Sequence, residues 1–154
     1  MNRHRLMILV LLCCAPGFAA ADPIHAIADG AYWHHDSGFV FPRKIGEFEL
    51  VGIPQDVAGS REAVAYYTRG AAAERTVAAV TVYPVEAIDL GEGLRAELDA
   101  HSTGTGDAVT LRYFVAKRDW RVRIEVAVPA PDADTHSSIE AFIRGLQWKS
   151  LASG

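Results

Sequence analysis

Three histidines and a carboxylate form the densest group of potential metal ligands in the chain: His25, His34, His35 and Asp36. Imidazole and carboxylate groups bind zinc, but a structural zinc site is closed by four protein ligands at characteristic short spacings. Successive side chains of an extended backbone point to opposite faces, so His34 and His35 are not expected to reach one ion together. The sequence therefore predicts solvated loop histidines and no metal, and keeps these four residues as candidates for a metal-binding alternative.

The sequence contains no recognisable motif for nucleophilic catalysis. The Gly-x-Ser-x-Gly elbow does not occur, and Ser37 and Ser60 stand in sequences typical of turns. Asparagine does not occur after Asn2, which removes any oxyanion hole built on that side chain. The catalytic residues stay unknown, and the sequence favours a protein without enzymatic activity over a small exported enzyme.

The segment 91–96 fits the G-x-G-x-x-A spacing of a dinucleotide-binding turn. Such a turn directly follows a parallel strand, whereas the hairpins predicted for this chain imply antiparallel strands. Glu92 would also set a carboxylate beside the pyrophosphate of the nucleotide. We therefore expect no cofactor.

Charge and size exclude further classes of protein. The chain has 15 basic and 19 acidic residues and a net charge of -4, so it lacks the basic excess that neutralises phosphate backbones. We expect no nucleic acid partner. A length of 154 residues with 50% apolar residues is typical of one globular domain.

The N-terminal segment has the three parts of a secretory signal peptide over residues 1–21. Arg3 and Arg5 precede a short apolar run, and small residues lead to a predicted cleavage before Asp22. The apolar run is about half of the roughly 20 residues that span a membrane, so we expect no transmembrane helix in the mature form. The sequence predicts an exported protein, periplasmic or secreted.

Both cysteines, Cys13 and Cys14, lie inside this segment, so the mature form is predicted to contain no cysteine. Lipidation at Cys13 is the alternative. It is disfavoured because Leu12 precedes Cys13, where a lipidated cysteine normally follows a small residue. An exported domain without disulfides must be held by its core alone.

Hydrophobic periodicity predicts a lead-in segment over 22–38, one domain over 39–151 and a tail over 152–154. Strands are expected near residues 47–50, 63–68 and 76–85, the last of them apolar on both faces and therefore covered on both sides. Apolar residues at three- and four-residue spacing predict an amphipathic helix over 89–102. A second helix is expected to begin with a capping box at Ser137 and Glu140.

The clearest pattern is a hairpin over 109–117 and 120–128, in which apolar and polar residues alternate on both arms. Pairing Ala116 with Arg121 sets the apolar residues of both arms on one face and puts Arg112 opposite Glu125. The order of elements is then β-β-β-α-β-β-α. This order predicts the α+β class, an antiparallel sheet of about five strands with two amphipathic helices.

Between Phe39 and Pro84 the chain carries Phe41-Pro42, Ile45-Gly46, Phe48, a strand with Tyr66-Tyr67 and an aliphatic strand ending in Tyr83. In this stretch it resembles a group of small exported bacterial proteins of unassigned function. The resemblance implies a shared sheet and carries over no catalytic residue.

The function that these observations favour is that of an exported, non-enzymatic periplasmic domain. We expect it to bind a protein or an envelope component through one face of its sheet or through the lead-in segment. The alternative is a small exported enzyme or a metal-binding protein that uses His25, His34, His35 and Asp36. The oligomeric state is not determined by the sequence.

Overall fold

The structure, a computed structural model, describes residues 23–54, 61–71, 74–85, 108–117, 119–129 and 131–150. In these residues the chain forms nine strands, a three-residue 3-10 turn at Ala28–Gly30 and one α-helix. No helix within the described ranges has the length and apolar character needed to cross a membrane.

A small antiparallel sheet comes first. It contains β1 (Ile24–Ala26), β2 (Tyr32–His34) and β3 (Val40–Phe41), in that spatial order. In the β1 to β2 pair, His25 lies opposite Trp33. The lead-in segment 22–38 thus pairs through β2 with a strand that follows it in the chain.

A larger antiparallel sheet has six strands in the order β4-β5-β6-β7-β9-β8. These strands are β4 (Lys44–Ile45), β5 (Phe48–Gly52), β6 (Ala63–Arg69), β7 (Thr76–Pro84), β8 (Val109–Lys117) and β9 (Trp120–Val128). All seven residues from Thr76 to Val82 in β7 are buried. This confirms that the strand is covered on both faces.

The predicted α+β arrangement, with about five strands, two helices and the order β-β-β-α-β-β-α, is wrong. The described residues are mostly β, with two sheets and a single helix. Strands of two or three residues, such as β1 to β4, are too short to show the two-residue period by which strands are recognised in a sequence. The helix predicted over 89–102 lies outside the described residues, as do the signal peptide, both cysteines and the tail.

The hairpin of β8 and β9 has the predicted register. Its paired residues include Ala116 with Arg121, Phe114 with Arg123 and Arg112 with Glu125. On one face of this hairpin the side chains of Val122, Ile124 and Val126 are fully buried. The alternation of residue types was sufficient to determine the register, because a slip of one residue would move every apolar side chain to the other face.

The helix α1 (Ala133–Gly145) has its N-cap at Asp132, about one and a half turns before the Ser137 that the capping box predicted. Its N-cap is Asp132, whose side chain accepts the backbone N–H of Thr135 at 2.7 Å. Ser137 lies inside the helix and donates its hydroxyl to the carbonyl of Ala133 at 3.0 Å. An aspartate at the N-cap satisfies an orphan backbone donor as well as a serine does, so the helix begins after Asp132 and the predicted start at Ser137 is wrong.

The main core lies between α1 and one face of the large sheet. Phe142 of α1 is fully buried, with its ring centroid 4.5 Å from that of Phe48 and 5.1 Å from that of Tyr67. Aromatic pairs at these distances add to the free energy gained by burial alone. The Tyr67 hydroxyl donates to the carbonyl of Pro42 at 3.0 Å, which ties the chain before β4 to this core.

The hairpin register gives a stability prediction. Ile124→Ala should lower the free energy of unfolding by about 2 to 5 kcal/mol, because it leaves a cavity in a packed core. Thr110→Ala, at an exposed position of β8, should change it by less than about 0.5 kcal/mol. Urea unfolding of both variants checks this. Equal losses would mean that the register is wrong by one residue.

Candidate functional site

The structure separates His34 from the other three candidate metal-binding residues. His34, in β2, is fully buried, whereas His35 and Asp36 are exposed in the turn that follows and His25 is exposed in β1. The prediction of solvated loop histidines is therefore wrong for His34. The reason is the alternation of side chains along β2, which turns His34 toward the core and its neighbours away from it.

The His34 ring is held by the turn between β2 and β3. Its Nδ1 atom lies 2.7 Å from the Ser37 hydroxyl oxygen, and that oxygen accepts the backbone N–H of Phe39 at 3.1 Å. The ring also makes an edge contact with Trp120 at 5.3 Å between centroids. These contacts join the small sheet to the start of β9 in the large sheet.

Burial is the main cause that lowers the pKa of His34 from its usual 6.5 to about 4. The nearby Asp36 carboxylate opposes this shift, and the positive charge of Arg61 adds to it. His34 is therefore neutral at pH 7 and accepts the Ser37 hydroxyl at Nδ1. A serine and a histidine at hydrogen-bond distance can act as nucleophile and base. Here both side chains are fully buried, so this pair closes a turn and does not face a substrate.

His25 and His35 come together on the solvent side of the small sheet. Their ring centroids are 6.4 Å apart, and the Trp33 ring lies 6.4 Å from His25 and 5.1 Å from His35. His35 Nδ1 is 3.3 Å from a carboxylate oxygen of Asp36. This hydrogen bond is the largest cause that lowers the pKa of Asp36, and Arg61 at 3.5 Å acts in the same direction.

The described part of the chain does not assemble four ligands around these histidines. Across the described ranges, no three residues among His, Cys, Asp and Glu are grouped so that they could hold a metal ion. His34 points into the core, so it is not available to an ion bound at the surface with His35. The small sheet therefore exposes two imidazoles, those of His25 and His35, and one carboxylate, that of Asp36, which orients the His35 ring.

A second polar group lies on the face of the large sheet that α1 does not cover. Arg123 and Glu125 of β9 are each only 4% exposed, although the sequence placed them opposite the core face. Glu125 accepts the Nε–H of Arg112 at 2.7 Å, and Arg123 Nε is 3.7 Å from its other oxygen. This burial was not predicted from the sequence. The signal that could have indicated it is β7, because a cover over both faces of β7 also shields its neighbour β9.

The ion pair between Arg112 and Glu125 links β8 to β9 through side chains, in addition to the backbone hydrogen bonds between the two strands. Hydrogen bonds between charged groups are stronger than neutral ones, and Glu125 is shielded from solvent. The pairing of β8 with β9 is continuous from Val109 to Lys117. The edge strand is thus held to its neighbour along its whole length.

The outer edge of β8 carries further exposed apolar side chains. Phe114 is 63% exposed and Val109 is 42% exposed, and both lie on this edge strand. Single exposed apolar residues are ordinary on protein surfaces. These two residues lie on opposite faces of β8, which among the described strands has a sheet neighbour on one side only.

Comparison with protein-family models, with curated proteins and with solved structures finds no match to this chain in any of the three. The edge strand β8 and the pair of exposed histidines are therefore the two features of the described residues that indicate a function.

Proposed function

We propose that this protein is an exported, non-enzymatic domain of the bacterial periplasm that binds a protein partner along β8. The observation that carries the proposal is the edge of β8, an unbroken nine-residue strand at the end of the six-stranded sheet that the described residues form. Export itself is inferred from the N-terminal sequence, whose apolar run and small residues are typical of a cleaved signal.

The two edges of the large sheet are built differently. The edge strand β4 has two residues, one of them a lysine that pairs with Glu49, and short charged edges resist pairing with other chains. The edge strand β8 has nine residues, no proline and no break in its register with β9. Sheet proteins usually protect such an edge unless it is used for binding.

Strand addition gives affinity through main-chain hydrogen bonds and specificity through alternate side chains. On one face the partner strand would meet Phe114 and Arg112, and on the other the half-buried Leu111, Tyr113 and Val115. The Arg112 side chain is 43% exposed while it is bonded to Glu125, so it retains donors for a partner carboxylate. The segment of the partner that pairs with β8 is therefore expected to be extended and apolar, with an acidic residue beside Arg112.

Site-specific crosslinking in living cells tests this proposal. A photoreactive phenylalanine analogue at position 114 should give one discrete adduct with an envelope protein on irradiation. The same analogue at Val51 is the matched control, because Val51 is 55% exposed but lies at the bulge of β5, away from the edge strand β8. An adduct of twice the mass of the chain would identify the partner as a second copy.

In purified components, Phe114→Lys should weaken binding of that partner by about tenfold or more, since aromatic residues at the centre of interfaces contribute most of the binding energy. Val51→Lys should leave the affinity unchanged. Binding should also slow hydrogen exchange of the β8 backbone amides. No adduct at position 114, or equal adducts at both positions, would contradict binding along β8.

A further inference from the structure

The exposed side of the small sheet brings two imidazoles together across adjacent strands. His25 is directly opposite Trp33, and His35 follows Trp33 by two residues, so the two histidines are diagonal neighbours on one face. The backbone N–H of His35 donates to the carbonyl of Pro23 at 2.8 Å, which extends the pairing past the end of β2. The sheet therefore fixes the separation of the two rings.

We propose that His25 and His35 bind a divalent transition-metal ion that prefers imidazole, with Cu2+ bound most tightly. Neutral imidazole is a good ligand for copper, nickel and zinc, and among these ions the affinity for a given nitrogen site is greatest for Cu2+. This metal site is separate from the edge strand β8 and does not depend on the partner proposed for it.

The distance between the rings is slightly longer than the span of one bridging ion. A metal ion lies about 2.0 Å from each ligating nitrogen and about 3 Å from each ring centroid, so an ion with the two nitrogens on opposite sides can hold two centroids up to about 6 Å apart. The observed 6.4 Å needs only a small rotation of an exposed side chain to meet this limit. Both histidines are exposed, so the ion has direct access from solvent.

Asp36 is a positioning residue for this site. When His35 donates its Nδ1 proton to the carboxylate of Asp36, its Nε2 atom is left with the lone pair that a metal needs. Arg61 lies 3.5 Å from the other carboxylate oxygen and holds Asp36 in place. Carboxylates in this role fix the orientation of the ring and raise its basicity.

Two ligands from the protein leave the remaining coordination positions to water. Such a site is open and exchanges its ion, in contrast to the closed four-ligand sites that hold a fold together. The small sheet is formed by backbone pairing and by the buried His34, so it does not require the ion. The bound ion would lie close to Trp33, whose ring is near both histidines.

A titration of the exported protein with CuCl2 at pH 7 tests the site, using protein purified without a histidine tag. We expect one ion to bind, by calorimetry, and to quench part of the tryptophan fluorescence. The variant Trp33→Phe should bind copper equally well but lose most of that quenching, because Trp33 is the tryptophan beside the two histidines.

His25→Ala and His35→Ala should each weaken Cu2+ binding by more than about tenfold, and Asp36→Ala by about tenfold. The matched control is His136→Ala, an exposed histidine on α1. Far-ultraviolet circular dichroism of each variant checks that the fold is intact. No copper binding, binding that survives in either histidine variant, or an equal loss in His136→Ala would overturn the two-histidine site.

Discussion

Replacing Phe142 with alanine is expected to lower the free energy of unfolding by about 3 to 5 kcal/mol, the usual cost of removing a buried phenylalanine. Phe142 is fully buried and is the side chain by which α1 contacts the aromatic rings of both Phe48 and Tyr67. Its loss leaves a cavity that the rigid strands β5 and β6 cannot fill. Urea unfolding of the purified protein measures the change.

The control lies on the same helix. His136→Ala removes an exposed side chain of α1 and should change stability by less than about 0.5 kcal/mol. A small loss in Phe142→Ala would mean that α1 does not pack on this face of the sheet. An equal loss in both variants would indicate an effect on helix formation and not on the core.

The second large effect is a dependence of stability on pH caused by His34. Its pKa is about 4 in the fold and 6.5 when the ring is exposed, so the unfolded chain takes up the proton first. The contribution of the neutral His34 to the free energy of unfolding is therefore fully present above pH 6.5, and it is lost as the pH falls toward 4. Because a tenfold difference in proton affinity corresponds to about 1.36 kcal/mol, the total loss is about 3 kcal/mol.

Between pH 6.5 and 5 the change in the free energy of unfolding caused by His34 is separated from that caused by the acidic groups with lowered pKa. Within the described ranges, the carboxyl groups with lowered pKa are Asp36, Glu47, Glu49 and Asp132. They are protonated only in stronger acid, so they contribute little in this window. Urea unfolding at several pH values should therefore show a slope that His34→Gln removes and His136→Gln retains.

A direct measurement keeps this prediction testable if His34→Gln does not fold. The ring protons of His34 in the native protein, followed by NMR, should titrate with a midpoint near pH 4. A midpoint near 6.5, or a wild-type slope equal to that of His34→Gln, would contradict the buried, neutral imidazole.

The sequence by itself determined the elements whose patterns are long enough to repeat. The hairpin of β8 and β9 was predicted with its register because nine residues on each arm alternate consistently, and one slip would expose every apolar side chain. The burial of β7 on both faces was predicted for the same reason, since apolar residues on both sides of a strand require cover on both sides. The pairing of Arg112 with Glu125 followed directly from that register.

The tertiary structure alone decided how the short segments are used. The strands β1, β2 and β3 have two or three residues each, too few to show a period, and they form because neighbouring strands satisfy their backbone groups. Their pairing turns His34 into the core and sets His25 beside His35 on the surface. Adjacent histidines look equivalent in a sequence, and only the direction of the β2 side chains separates a buried, neutral imidazole from an exposed potential ligand.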